Sequence, residues 1–126
     1  MHRAESMSAE LPNVPVHPLV QERCVHRDLY TDAALFAQEQ QRFFGRAWVF
    51  AGHGSQMPEV GDFITVSLSG QPILLLRDAP DRIQAFFNRC AHKGSQLYSQ
   101  AQGHVGKMLR CPYHAWSYRL DGQPLA

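Results

Sequence analysis

Cysteine is scarce in this chain, three in 126 residues, and that scarcity excludes a fold stapled by paired disulfides. Charge of either sign is also in short supply: twelve Lys and Arg face eleven Asp and Glu, for a formal net charge of +1. A basic field of the kind that nucleic acid or anionic lipid requires is therefore absent, and neither is expected as a partner. No apolar run approaches the length of a membrane span. Residues 1–21 carry charges and prolines where a secretory leader needs an unbroken apolar stretch, so the expected compartment is the cytoplasm. Internal repeats and low-complexity segments are likewise missing, and the length fits one modest domain.

What is present is concentrated in two short arms. The first reads Cys90-Ala91-His92-Lys93-Gly94-Ser95-Gln96-Leu97 and the second Cys111-Pro112-Tyr113-His114-Ala115-Trp116-Ser117-Tyr118, with a polar, glycine-bearing insert between them. Each offers a thiol and then an imidazole, Cys-x-His in one and Cys-x-x-His in the other, which makes four soft or borderline metal ligands. Zinc modules usually pair like ligands within an arm, because one ion must draw four of them into a tetrahedron. Here each arm is mixed. A two-iron cluster accounts for the mixing if Cys90 and Cys111 hold one iron while His92 and His114 hold the other. That is the ligand set of a Rieske [2Fe-2S] centre.

On these residues the chain resembles the Rieske domain at the N-terminus of the alpha (large) subunit of bacterial aromatic-ring-hydroxylating dioxygenases. The segments Trp48-Val49-Phe50-Ala51-Gly52-His53, Gly61-Asp62-Phe63 and Gln71-Pro72-Ile73 are similar to that family too, and the likeness covers 28–126. Two positions depart from it. Lys93 stands where arginine is more usual and loses the planar guanidinium fork. Ala115 stands where glycine is usual, and its Cβ leads us to expect a backbone outside the positive-φ region. High-potential relatives carry an extra cysteine in each arm, joined as a disulfide. Here those positions are Ser95 and Tyr113, and Trp116 replaces a serine that hydrogen-bonds a sulfur, so a potential toward the low end of the Rieske range is expected.

The resemblance implies a [2Fe-2S] cluster on Cys90, His92, Cys111 and His114. It also implies a ferredoxin or flavin reductase as electron donor and, as acceptor, a mononuclear Fe(II) in the catalytic domain of a neighbouring alpha subunit. A beta subunit and a homo- or hetero-oligomer belong to the same picture. Either His92 or His114 would be the electron exit. No histidine pair with a distant acid follows His114, so the catalytic iron is expected to lie in a domain these 126 residues do not include. Two other readings use the same four residues. One is a free-standing Rieske ferredoxin, against which the segment before Ala47 argues. The other is a structural zinc module, which leaves the mixed arms unexplained.

The rest of the chain is expected to fold as a small, mainly β, antiparallel Rieske-type sandwich or barrel with an N-terminal helix. Residues 1–27, with prolines at 12, 15 and 18, are read as an extended arm in which Cys24, near His17 and His26, is a free thiol without a role. Residues 28–46 hold a helix capped by Thr31 or Asp32 and stopped by Gly45, with Leu35, Phe36, Phe43 and Phe44 in the core and 38–41 facing away or at its margin. The Rieske domain is expected over 47–126, with strands at 48–52, 63–68, 73–77, 83–87, 108–110 and 117–120. Gly94 is read as permitting a tight turn and Pro112 as stiffening the second arm. Leu97, Tyr113 and Trp116 are read as apolar cover for the sulfurs. Lys93 and Arg110 are charges that offset the cluster, face a donor or are simply solvated at the surface, and His53 and His104 are histidines outside the site.

Overall fold

The structure is a computed structural model and describes residues 13–125. The first twelve residues of the expected arm lie outside the described residues. The chain divides into two compact units, Met1–Trp48 and Val49–Ala126.

In the first unit, residues 13–27 fold back on themselves. His17–Leu19 forms a single 3-10 turn, and Val20 bridges Val25 antiparallel. Cys24 is an exposed free thiol whose Sγ lies 3.4 Å from Gln21 Oε1. Two short helices follow, α1 (Asp28–Thr31) and α2 (Ala33–Glu39). Of the two expected caps Asp32 serves, its carboxylate accepting from the Leu35 N–H at 2.8 Å, which satisfies one of the free donors of a helix start. After Glu39 the winding loosens into a π-helical turn, Gln40–Phe44, closed by Gly45 in a right-handed conformation. That change of pitch breaks the expected apolar stripe. Leu35 is buried, but Phe36, Phe43 and Phe44 are exposed. Gln38, expected to face away or lie at the margin, is buried, with its amide paired to both backbone groups of Val14.

The second unit is built on a four-stranded antiparallel sheet, β1 (Asp62–Leu68), β2 (Gln71–Ala79), β3 (Arg82–Phe87) and β4 (Gln102–His104), in the order β3-β2-β1-β4. A small hairpin of β5 (Leu109–Arg110) and β6 (Ser117–Tyr118) stands beside it. Period-two alternation sends β1 and β2 side chains to opposite faces. Phe63, Leu74 and Leu76 share the main core with Cys90, Leu97, Leu109, Cys111 and Tyr118, while Ile64 and Leu75 pack with Met57 on the other face.

Two expectations fail here. No strand forms at 48–52. Ala51 packs on the Met57, Ile64 and Leu75 cluster, and a Cβ on Gly52 would stand 2.6 Å from Ile64 Cδ1, so this stretch presses on the face of the sheet instead of pairing at its edge. Conversely β4, whose Gln-Gly-His sequence has no strand preference, forms because Asp62 to Ile64 offers it a pairing edge.

Candidate metal centre

The two arms are the connections that leave β3 and β5. Each closes on itself with the same two backbone hydrogen bonds. The Cys90 N–H donates to Ser95 O at 2.7 Å and Gly94 N–H to Cys90 O at 2.9 Å, while Cys111 N–H donates to Trp116 O at 2.8 Å and Ala115 N–H to Cys111 O at 3.0 Å. Gly94 and Ala115 are thus the same position of the same turn, and both have positive φ, 71° and 60°. The expectation for Ala115 is overturned: the turn demands left-handed backbone there, and alanine adopts it at a cost of about 1–2 kcal/mol.

Closing the turns in this way buries the thiols and exposes the imidazoles. Cys90 and Cys111 are 3% exposed and sit in the core cluster. His92 and His114 face solvent with ring centroids 5.1 Å apart. Cys90 and Cys111 share one buried cluster. Among the described residues no group of three or more His, Cys, Asp or Glu is placed to hold a single ion. The four candidates form two like pairs, thiol with thiol and imidazole with imidazole. A two-iron group with a soft end and a borderline end fits that donor set better than one tetrahedral zinc does.

The surroundings favour thiolate. Burial pushes the Cys90 thiol up, but the Tyr118 hydroxyl, the backbone N–H groups of His92 and Lys93 and the Cys111 thiol outweigh it and leave Cys90 below its ordinary value. Tyr118 Oη lies 3.0 Å from Cys90 Sγ and accepts from the Ala91 N–H at 3.2 Å. Burial, then the bond to Cys90, raises the Tyr118 phenol to about 12, so it remains a donor at neutral pH.

Sequence reasoning did not single out Tyr118, nor the two residues that tie the arms to the sheet. Asn88, 1% exposed, donates from Nδ2 to Tyr98 O at 2.6 Å and accepts the Tyr98 N–H at 3.0 Å, closing the base of the first arm. Tyr98 packs on Phe63 and accepts from the Arg110 N–H at 3.3 Å, reaching the entry to the second arm. The signal available was that a buried Tyr or Asn needs a partner for its polar end.

Of the expected cover residues only Leu97 is buried; Tyr113 and Trp116 are 63% and 45% exposed. They lie against the imidazoles instead. Trp116 stacks on His92 at 4.7 Å with 5° between the planes, and the Tyr113 ring is 3.7 Å from that of His114. His53 and His104 stay outside the site, His53 capping the 3-10 turn Gly54–Gln56 and His104 paired with Asp62 at 2.8 Å.

Comparison with known proteins agrees with this architecture. The sequence model of the Rieske [2Fe-2S] domain matches residues 47–126, and the chain belongs to that family, whose cofactor is a [2Fe-2S] cluster. Within the family its relatives are oxygenase subunits. It is 42% identical over 96 residues to the glycine betaine monooxygenase oxygenase subunit of Chromohalobacter salexigens, covering 76% of this chain and 21% of the relative. It is 40% identical over 106 residues to the biphenyl 2,3-dioxygenase alpha subunit of Rhodococcus jostii, covering 82% and 23%. The structure of naphthalene 1,2-dioxygenase from Rhodococcus sp. superposes with a TM-score of 0.78 at 32% identity, over 88% of this chain and 25% of that one. The chain thus spans about a fifth of the curated relatives it matches. It is homologous to the electron-transfer domain of aromatic-ring dioxygenase alpha subunits and of Rieske monooxygenases. Among the described residues no helix is long and apolar enough to cross a membrane.

Proposed function

We propose that this chain is the Rieske electron-transfer domain of an oxygenase large subunit, with Cys90 and Cys111 on one iron and His92 and His114 on the other. The observation that carries this reading is the sorting of the four side chains into a buried thiol pair and an exposed imidazole pair on two equal turns. When bound, a [2Fe-2S] cluster supplies one-electron chemistry at a potential above that of all-cysteine clusters. The protein's own part is to hold the sulfurs dry in the core, to donate the Tyr118 hydroxyl to the Cys90 sulfur, and to leave the imidazole edges reachable. The outer ring nitrogen of His92 or His114 then donates to a carboxylate on a partner domain and holds or releases a proton as the charge beneath it changes.

On this reading a ferredoxin or flavin reductase supplies electrons, and a mononuclear non-haem iron in the catalytic domain of a neighbouring alpha subunit receives them. The setting is a cytoplasmic homo- or hetero-oligomer, with a beta subunit as a further partner. The biphenyl relative supports dihydroxylation of an aromatic ring as the reaction served, and the glycine betaine relative, of similar identity, supports monooxygenation of a quaternary ammonium compound as the second reading.

The test is the low-temperature electron paramagnetic resonance spectrum of the purified chain after dithionite, with iron and acid-labile sulfide analysis. A rhombic signal with average g below that of all-cysteine ferredoxins, and about two iron and two sulfide per chain, is expected. One zinc and no signal would overturn the reading.

A further inference from the structure

A ligand imidazole held through one ring nitrogen can still turn about that bond, and metal sites usually stop the rotation with a hydrogen bond from the other nitrogen. Among the described residues the histidine rings in hydrogen bonds are those of His26, His53 and His104. Neither His92 nor His114 has such a bond within the chain, so what fixes their planes is contact with other rings.

The two contacts differ in kind. Tyr113 precedes His114 on the same arm, and its ring is tilted 38° from that imidazole. Trp116 reaches across to the other arm. Its indole lies 4.7 Å from the His92 ring with only 5° between the planes, a parallel stack that turning His92 would break.

The backbone that carries this indole is fixed. The Trp116 carbonyl accepts the Cys111 N–H at 2.8 Å, which closes the second turn, and the next residue, Ser117, opens β6 opposite Arg110. Ala115, with its positive φ, is the one residue between His114 and Trp116. A single turn thus delivers both His114 and the flat surface on which His92 rests. Trp116 does not cover the sulfurs: it is 45% exposed and stands apart from the apolar cluster that holds Cys90 and Cys111. It also borders an open cavity of about 520 Å³ with Ser117, Pro124 and Leu125, so core packing does not wedge it against the imidazole.

We propose that Trp116 is a positioning residue for His92, so that the second arm sets the orientation of both candidate imidazole ligands. The proposal rests on the electron-transfer reading above and adds what orients the ligands it names. Apolar cover alone would be supplied by any bulky aliphatic side chain, whereas holding a ring in one plane calls for another flat ring.

The experiment uses the full chain loaded with its cluster and reduced with dithionite. Pulsed electron paramagnetic resonance resolves the nitrogen couplings of the two ligand imidazoles in the wild type, Trp116→Phe, Trp116→Leu and Tyr113→Leu, with iron and sulfide measured on every sample. In Trp116→Leu one nitrogen should show a second ring orientation, the ratio of original to turned rings falling about two- to tenfold, while the other nitrogen keeps its wild-type coupling. Trp116→Phe should retain both wild-type couplings, and Tyr113→Leu should leave untouched the nitrogen that Trp116→Leu alters. Loss of iron and sulfide in Trp116→Leu with retention in Trp116→Phe would also support the stack, since only the flat ring would then keep the ligand in place.

Unchanged couplings in Trp116→Leu, equal changes at both nitrogens, identical behaviour of the Leu and Phe variants, or the same nitrogen altered by Tyr113→Leu would each overturn the positioning role. The wild-type signal separates the two claims: without it the electron-transfer reading fails, and with it these outcomes bear on Trp116 alone.

Discussion

In the first arm the histidine stands two residues after the cysteine and in the second three residues after it, although both turns close with the same pair of hydrogen bonds and the same positive-φ residue. The backbone turn therefore determines where the sulfurs sit, and the one-residue offset determines how the imidazoles meet. His92 lies flat under Trp116, a residue of the other arm, while His114 rests on Tyr113 of its own arm, and the two rings cross at 67°. The arms also differ in how they are anchored. The first is clamped at its base by Asn88 and Tyr98, and the second enters through a strand only two residues long.

The thiols are equally buried, so Cys90→Ser and Cys111→Ser should each remove nearly all bound iron and sulfide; visible absorbance surviving in one variant alone would show that the arms are unequal as ligands. Next in size is the anchoring. Asn88→Ala leaves the Tyr98 N–H unpaired and its carbonyl with the Gln96 amide alone, and should cost about 1–3 kcal/mol, read as a lowered urea midpoint. A loss no larger than that of an exposed Asn→Ala control would mean the clamp is not structural.

The shared turn position gives a reciprocal pair. Ala115→Gly relieves about 1–2 kcal/mol of left-handed strain and gives back about 0.4–1 kcal/mol through the freer unfolded chain, a net gain of about 0.5–1 kcal/mol. Nothing lies within 4 Å of a Cβ added to Gly94, so Gly94→Ala should lose about the same amount by the same sum. Melting temperatures that move in one direction for both substitutions would break the equivalence.

Tyr118→Phe removes a donor from the first arm's sulfur. Reduction adds negative charge there, so the lost hydrogen bond should lower the potential by about 40–60 mV, the one-electron equivalent of about 1 kcal/mol. An unchanged potential would confine Tyr118 to packing.

The smallest effect lies where the connector between the arms meets β1, at the His104–Asp62 pair. Asp62 is held below the usual carboxylate range by the Glu59 N–H and by His104. A carboxyl with a depressed folded-state pKa stabilises above its unfolded value, near pH 4, and loses that contribution as pH falls through the folded value. Asp62→Asn should therefore melt slightly lower than wild type at pH 7, with the curves converging as the pH falls through the folded-state value. A gap that persists in acid would assign the effect to something other than ionisation.

Much of this was legible in the sequence. The four candidate ligands are adjacent in short motifs, and β1 to β3 announce themselves as short apolar runs separated by the Ser69-Gly70 and Pro80-Asp81 turns. What was hidden depends on partners far along the chain. Tyr118 meets Cys90 across 28 positions and Asn88 meets Tyr98 across ten, and neither residue type says which backbone it will find. Phe43 and Phe44 misled because a stripe laid out at 3.6 residues per turn does not survive a π-helical turn. Ala115 misled because the cost of its backbone is small enough for the surrounding turn to impose.

Each arm's six-residue turn is closed by its own N–H and carbonyl groups, so its shape is a local property that can be carried from place to place. The insert between the arms can lengthen or shorten without disturbing either thiol, provided its ends still meet β1 and β5. Transplanting the arms onto another scaffold would have to bring three outlying side chains as well, Asn88, Tyr98 and Tyr118, because they tie the turns to the sheet and to each other. Lineages that vary the connector should accordingly keep those three positions polar, with Asn88 and Tyr118 buried.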